Sequence, residues 1–403
     1  MARCLALAVS YTALSIFMSS PASAGVENTW PGADGGTIQA LAIDPAFNTT
    51  LYAGTEFGGV YKSTNGGSTW VAVNNGLTNL NVQSLAIDNN PNTTLYAGTN
   101  GGGVFKSNDG GNNWFAVNTG DLPSDANVQA LVFDTLSLST VYAGTKTGGV
   151  FKTTNGGSSW TAVNNGLTNS NVQALAINPN FNTTLYAGTN GGGVFKTTDG
   201  GDNWADSNDA NLTNTANVQA LAIDPDITTT LYAGTNGGGV FKTTNGGTNW
   251  TAVNNGLTNL NVQTLAIDSV DTDIIYAGTD FGSLFISMDG GANWSVIGGE
   301  ISGANVLSLA IDPATTTTLY AGTAGEGLFF LTERGEPSGG SGGGGGGSCF
   351  ITTAANGSPM ARQVQLLSLI FILLALLCTT LFVLFTRLKL PEVVFKTARL
   401  KSK

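Results

Sequence analysis

The chain has 403 residues, 41% apolar and only 10% charged, with 56 glycines, three cysteines and no histidine. Its formal charge is −11, and residues 25–337 carry 7 Lys and Arg against 25 Asp and Glu, a net of −18. So acidic a region excludes nucleic acid or an anionic headgroup as its ligand, since both need their phosphates neutralised. The lack of histidine removes Ser-His-Asp and Cys-His catalysis and the commonest zinc ligand.

Residues 1–24 read as a signal peptide: Arg3, an apolar stretch from Cys4 to Met18, then Ala22-Ser23-Ala24 as a small-x-small cleavage site. The exported part then keeps a single cysteine outside any membrane segment, Cys349, so no disulfide framework is expected.

Residues 25–337 are repetitive. Leu-Tyr-Ala-Gly-Thr, or a close variant, recurs at Tyr52, Tyr96, Tyr142, Tyr186, Tyr232, Tyr276 and Tyr320, at intervals of 44, 46, 44, 46, 44 and 44 residues. That period suits a four-stranded propeller blade and is too long for a leucine-rich or helical-hairpin repeat. In the fifth repeat, four β-rich runs, 217–224, 228–235, 238–244 and 249–256, are separated by Gly, Asn, Asp and Pro clusters, as in a hairpin meander. The first run is almost continuously apolar, which predicts an innermost strand covered on both faces.

Between the third and fourth runs lies Ser/Thr-x-Asp/Asn-Gly-Gly-x-x-Trp, found six times and centred on Asn65 and Trp70, Asp109 and Trp114, Asn155 and Trp160, Asp199 and Trp204, Asn245 and Trp250, and Asp289 and Trp294. The Asx side chain can bond the local backbone, the glycines admit positive φ, and the tryptophan packs down on the blade. This motif resembles the Asp box of the BNR-repeat propellers, a superfamily that includes sialidases, sortilin-type receptors, xyloglucan hydrolases and the photosystem II assembly factor. The resemblance covers residues 25–337 and implies an all-β, seven-bladed propeller of four-stranded antiparallel blades. The seventh repeat lacks a box, and Asn28-Thr29-Trp30 reads as the missing fourth strand, supplied by the N-terminus to close the ring.

Residues 338–348 are a Gly/Ser linker. Residues 349–365 begin Cys-Phe-Ile-Thr-Thr-Ala-Ala-Asn-Gly-Ser and resemble the bacterial C-terminal CFI box, departing from it at Thr352 and Asn356. Residues 366–386 read as a transmembrane helix, with a run of 20 uncharged residues from Leu366 to Phe385. The basic tail, 387–403, places the C-terminus in the cytoplasm. The expected location is a bacterial inner membrane with the propeller periplasmic or extracellular, or the cell surface if the chain is processed and lipidated at Cys349.

Little chemistry stands out. Among the superfamily, sialidases hold their substrate with an arginine triad, whereas residues 25–337 contain only Arg334. Asp199, Asp202, Asp206 and Asp209 lie close in sequence but match no calcium-loop spacing. No metal or other cofactor is expected. A ring of glutamines, Gln39, Gln83, Gln129, Gln173, Gln219 and Gln263, broken by Leu307, is expected near one mouth of the channel, ordering water. The turns after the second strand depart from the shared Thr-Asn-Gly-Gly-Gly at Glu56 and Phe57, at Asp280 and Phe281, and at Glu326. Blades 6, 7 and 1 are contiguous in a closed ring, so these five form an acidic, partly aromatic arc on one rim. The expectation is a monomeric propeller binding a protein or glycan partner without catalysis, as the assembly-factor and receptor resemblance implies. The alternatives are a polysaccharide-active glycoside hydrolase using rim carboxylates and a structural cell-surface repeat protein.

Overall fold

The computed structural model describes residues 27–28, 30, 36–88, 94–281, 283–298, 301 and 303–332. The chain divides into two units, Met1–Ser341 and Gly342–Lys403, and all described residues belong to the first. The signal peptide, the Gly/Ser linker, the CFI-box-like segment with Cys349, the membrane span and the basic tail lie outside the described residues. Among those described, no helix is long and apolar enough to cross a membrane.

The described strands form seven four-stranded antiparallel sheets, the blades of a propeller. Blade 1 consists of Ile38–Ile43, Leu51–Thr55, Val60–Ser63 and Val71–Ala72. Blade 7 takes Val306–Ile311, Leu319–Thr323 and Leu328–Leu331 from the C-terminal side, and Glu27–Asn28 as its fourth strand, with Glu27 opposite Phe330 and Asn28 opposite Phe329. The N-terminus therefore closes the ring. Register moves Trp30 beyond this strand: by alignment with blade 1 it occupies the place of Asn74, and not that of the box tryptophan Trp70.

Two faces arise from the strand directions. One carries the starts of the first strands and the turns from second to third strand; we call it the turn face. The other carries the turns from first to second strand and the Asp boxes, and is called the box face.

Burial corrects one expectation about the strands. The first strand alternates, with Ile38, Ala40 and Ala42 buried and Gln39, Leu41 and Ile43 half-buried, whereas the second strand is buried at every residue in all seven blades. The first strands converge on the axis, so alternate side chains turn to the central channel; the second strands are sandwiched between adjacent sheets. The sandwich is tight. A Cβ on Gly54 would lie 2.6 Å from Cγ1 of Val82 in blade 2, and one on Gly322 would lie 2.7 Å from Cγ2 of Ile38, across the closure. Glycine in each Leu-Tyr-Ala-Gly-Thr is thus the residue that lets neighbouring sheets approach.

Adjacent blades are joined by a recurring clamp. Tyr52 Oη and Lys62 Nζ both donate to the carbonyl of Gly110, in the Asp box of blade 2, at 3.1 and 3.0 Å. Tyr142 and Lys152 do the same to Gly200, Tyr186 and Lys196 to Gly246, and Tyr232 and Lys242 to Gly290. Each lysine also lies over its tyrosine ring at 5.3–5.4 Å, a cation–π contact that suits a half-buried ammonium. Between blades 6 and 7 the lysine of the clamp is missing. Ile286 stands opposite Tyr276 where blades 1 to 5 have lysine, and in blade 7 Phe330 faces Tyr320 in the same way.

Candidate functional site

The Asp boxes show how Asp and Asn serve alike. In every box the Asx Oδ1 accepts the amide N–H four residues on: Asn65 from Thr69, Asp109 from Asn113, Asn155 from Ser159, Asp199 from Asn203, Asn245 from Asn249 and Asp289 from Asn293, all at 2.8–2.9 Å. Trp114, Trp160, Trp204, Trp250 and Trp294 donate Nε1–H to a carbonyl of the preceding blade at 2.7–2.8 Å. Trp70 differs, donating to Gly67 of its own box and packing 5.5 Å from Trp30. The carboxylates are tuned by these bonds. The Asn203 side-chain amide, then its backbone amide, holds the exposed Asp199 down to about 2, and Asn113 lowers Asp109 in the same way. Burial pushes Asp289 up, but hydrogen bonds from Asn293 outweigh it and leave it lowered.

Three of the four clustered aspartates of blade 4 are separately engaged, and Asp202 is exposed. Asp199 serves its box; Asp206 accepts from the backbone N–H and the side-chain amide of Asn208; Asp209 accepts the Trp250, Asn211 and Leu212 amides. Among the described residues no group of three His, Cys, Asp or Glu could hold a metal. The strand-entry glutamines all fall at the β-bulge of the first strand, as between Ile38 and Ala40, and all are half-buried, with Leu307, on the turn face. Gln83 donates to Asn81 at 3.0 Å, while Oε1 of Gln129 is buried with no hydrogen-bond partner among the described residues.

The five divergent rim residues all lie on the turn face, on contiguous blades. In blade 1, Thr55 Oγ1 donates to Gly59 O and accepts from Gly58 N, and Glu56 N donates to Thr37 O. This holds the turn while Phe57 projects, 70% exposed. In blade 6, Asp280 N donates to Asn261 O at 2.9 Å, Asn259 donates to Asp280 O, and Phe281 N donates to Asn305 Oδ1 of blade 7 at 2.7 Å. Phe281 is 76% exposed and has φ +48°. It is the one non-glycine residue with positive φ among those described, at a position taken by Gly101, Gly191 and Gly237 in other blades. Such a backbone costs about 1–2 kcal/mol for an L-residue. Blade 7 offers Glu326, exposed, and its turn is bonded on both sides: Ala324 N to Asn305 O, and Gly327 N to Gly36 O at 3.0 Å. Hydrogen bonds therefore run along the whole arc, from Phe281 through Asn305 and Gly36 to Glu56.

A sixth residue belongs here that its place in the sequence concealed. Trp30 packs edge-on against Tyr61 at 4.9 Å, and with Tyr61, Thr37, Thr55, Glu56 and Phe57 it lines a crevice of about 10 Å³, room for one water. Its signal was present: Asn74, Asn118, Asn164, Asn208 and Asn254 each accept the N–H that opens the third strand and donate to the turn before it, as Asn74 does with Val60 and Gly58. Blade 7 replaces that asparagine by tryptophan, whose Cβ would sit 2.6 Å from a Cβ on Gly327.

The profile of the Sortilin-Vps10 family (sortilin, neurotensin receptor 3) matches residues 148–281. No curated protein matches significantly. Among solved structures, the GH74 xyloglucanase from Xanthomonas campestris is 17% identical, with a TM-score of 0.63 over 76% of this chain and 53% of that one. YCF48 from Cyanidioschyzon merolae is 18% identical, with a TM-score of 0.59 over 76% of this chain and 98% of that one. YCF48 bound to D1 peptide is 15% identical, with a TM-score of 0.55 over 77% and 95%. The chain spans about half the length of the GH74 structures it matches. At these identities the likeness is one of fold, shared by hydrolases and by YCF48 alike. The described part of this chain is a seven-bladed β-propeller of the Asp-box repeat kind.

Proposed function

We propose that this chain is an exported propeller, tethered to a membrane through residues 366–386, that binds a protein partner without catalysis at the rim of blades 7, 1 and 6. The contact residues are Trp30, Glu56, Phe57, Asp280, Phe281 and Glu326. The observation that carries the reading is Phe281: an exposed aromatic kept in a glycine-type backbone and fixed to Asn305, a strained feature of the sort that clusters at binding sites. Carboxylates beside projecting aromatics suit the basic and apolar side chains of an extended segment. The crevice, at about 10 Å³, is far below the 300 Å³ or more typical of a small-molecule site, so the rim grips a partner laid across it. The fold of YCF48 bound to D1 peptide supports a propeller of this size acting as a peptide binder.

A photo-crosslinker placed at Phe57 or Phe281 in intact cells, followed by mass spectrometry, tests this. One abundant partner should be captured there and not by the same probe at Thr147 in blade 3, and Glu56→Gln with Asp280→Asn should reduce capture about tenfold or more. The hydrolase alternative, which draws on the GH74 fold, predicts turnover on a glycan panel that those two substitutions abolish; such turnover would replace the binding reading.

A further inference from the structure

On the box face, five of the turns from first to second strand expose a large apolar side chain: Phe47, Leu136, Phe181, Ile227 and Val270, between 57% and 74% exposed. Each sits two or three residues after a buried Asp or Asn that accepts the turn's own amides, as Asp44 accepts from Ala46 and Phe47 and Asn178 from Asn180 and Phe181. A single exposed apolar residue on a surface calls for no explanation. Five in equivalent turns, belonging to blades 1, 3, 4, 5 and 6 and joining the two strands nearest the axis, form a ring around one mouth of the channel.

The termini of the propeller lie on that same face. Leu331 pairs with Leu319 at the box-face end of blade 7, so the chain leaves there, and Glu27 enters there. Past that exit the sequence continues into the Gly/Ser linker and, from Leu366, the 20-residue uncharged run. The 33 residues between Thr332 and Leu366 can span at most about 115 Å, whatever their conformation. A tether of that length leaving from the box face keeps the apolar ring near the bilayer at high effective concentration, where weak contacts suffice.

We infer that the box face is a lipid-docking surface, and that Phe47, Leu136, Phe181, Ile227 and Val270 enter the interfacial layer of the membrane to which the chain is tethered. The turn face then points away from the bilayer, with its rim open to a partner. Charge sets the kind of lipid. The box face also exposes Asp109, Asp199, Asp226, Asp271 and Asp289, so a zwitterionic surface is favoured over an anionic one. This inference shares with the proposed function the reading of 366–386 as a membrane span, and is independent of what the rim binds.

The test uses the full chain with Cys4, Cys349 and Cys378 changed to Ser, reconstituted in phosphatidylcholine vesicles. Nitroxide labels are placed singly through Phe47→Cys and Phe181→Cys on one face, and through Phe57→Cys and Phe281→Cys on the other. Labels at 47 and 181 should collide more with oxygen than with an aqueous nickel chelate, labels at 57 and 281 the reverse, and added phosphatidylglycerol should weaken the contrast. Equal water access on both faces overturns the docking. So does spin–spin broadening at 47 and 181 without oxygen contact, which would mean that a second copy covers the ring. Extraction of the chain by alkaline carbonate would remove the tether and the docking together, whereas an integrated chain with wet labels removes the docking alone.

Discussion

At the scale of single residues, the same bonds that shape the turns set the response to pH. Asp199 is held down to about 2 by Asn203, below the ordinary value of 3.8, and a carboxylate lowered on folding contributes stability above its unfolded pKa that is lost as pH falls through the folded one. Asp199→Asn keeps the turn, as Asn65, Asn155 and Asn245 demonstrate in their own boxes. The variant should therefore lose less of its melting temperature than the parent between about pH 4 and 2 in calorimetry. Tyrosine gives the opposite limb. Burial pushes Tyr186 up to about 12 and raises Tyr52, Tyr96, Tyr142, Tyr232 and Tyr320 as well. A raised acid contributes stability that is whole below its unfolded value and lost as pH climbs through the folded one. Stability should fall steeply above about pH 10, with tyrosine ionisation measured by ultraviolet absorbance coinciding with loss of circular dichroism.

The elements are held by side chains that reach out of their own blade. Trp160 is 1% exposed, is packed in a core cluster with Tyr96, Val104 and Leu122, and donates to Val117 of blade 2. Trp160→Ala should cost about 3–5 kcal/mol in denaturant titration. Tyr232→Phe removes one donor from a carbonyl that Lys242 still serves, so about 1 kcal/mol is expected. Shape and number of blades are legible in the sequence because the tyrosine period and the box register them directly, and the orphan segment at Asn28 foretells closure. The clamp is not legible. Nothing in the sequence singles out Lys62 and its counterparts, since their partner carbonyls lie 48–50 residues away and repeat-to-repeat bonds leave no trace in the pattern of one repeat. The rim can be located by comparing turns, yet Trp30 reads from sequence as a closure residue alone, because its register is fixed by the pairing of Asn28 with Phe329.

For the whole ring, the joints are unequal. Blades 1 and 2, and 3 to 6 in turn, are clamped by tyrosine and lysine together, and Lys106 likewise donates to Gly156 between blades 2 and 3. Blades 7 and 1 share Tyr320 with Gly66, Asn48 with Asp312, and the tilted contact of Trp30 with Trp70. The joint of blades 6 and 7 has no clamp lysine, and Tyr276, Ile286, Leu319 and Leu331 pack there in one apolar cluster. Hydrogen exchange should be fastest in the strands of blades 6 and 7 and slowest in blades 3 to 5, since local opening depends on the contacts available to resist it. Equal protection in all seven would mean that the clamp adds nothing to packing.

The clamp has a bearing on how such a chain changes length. Because tyrosine and lysine of one unit seize only a main-chain oxygen of the next, tandem copying of an interior unit leaves every junction chemically complete, whatever the neighbouring side chains. Duplication and loss by slippage in the coding DNA then meet no barrier from mismatched partners, and what resists them is the circumference that the terminal strands can close.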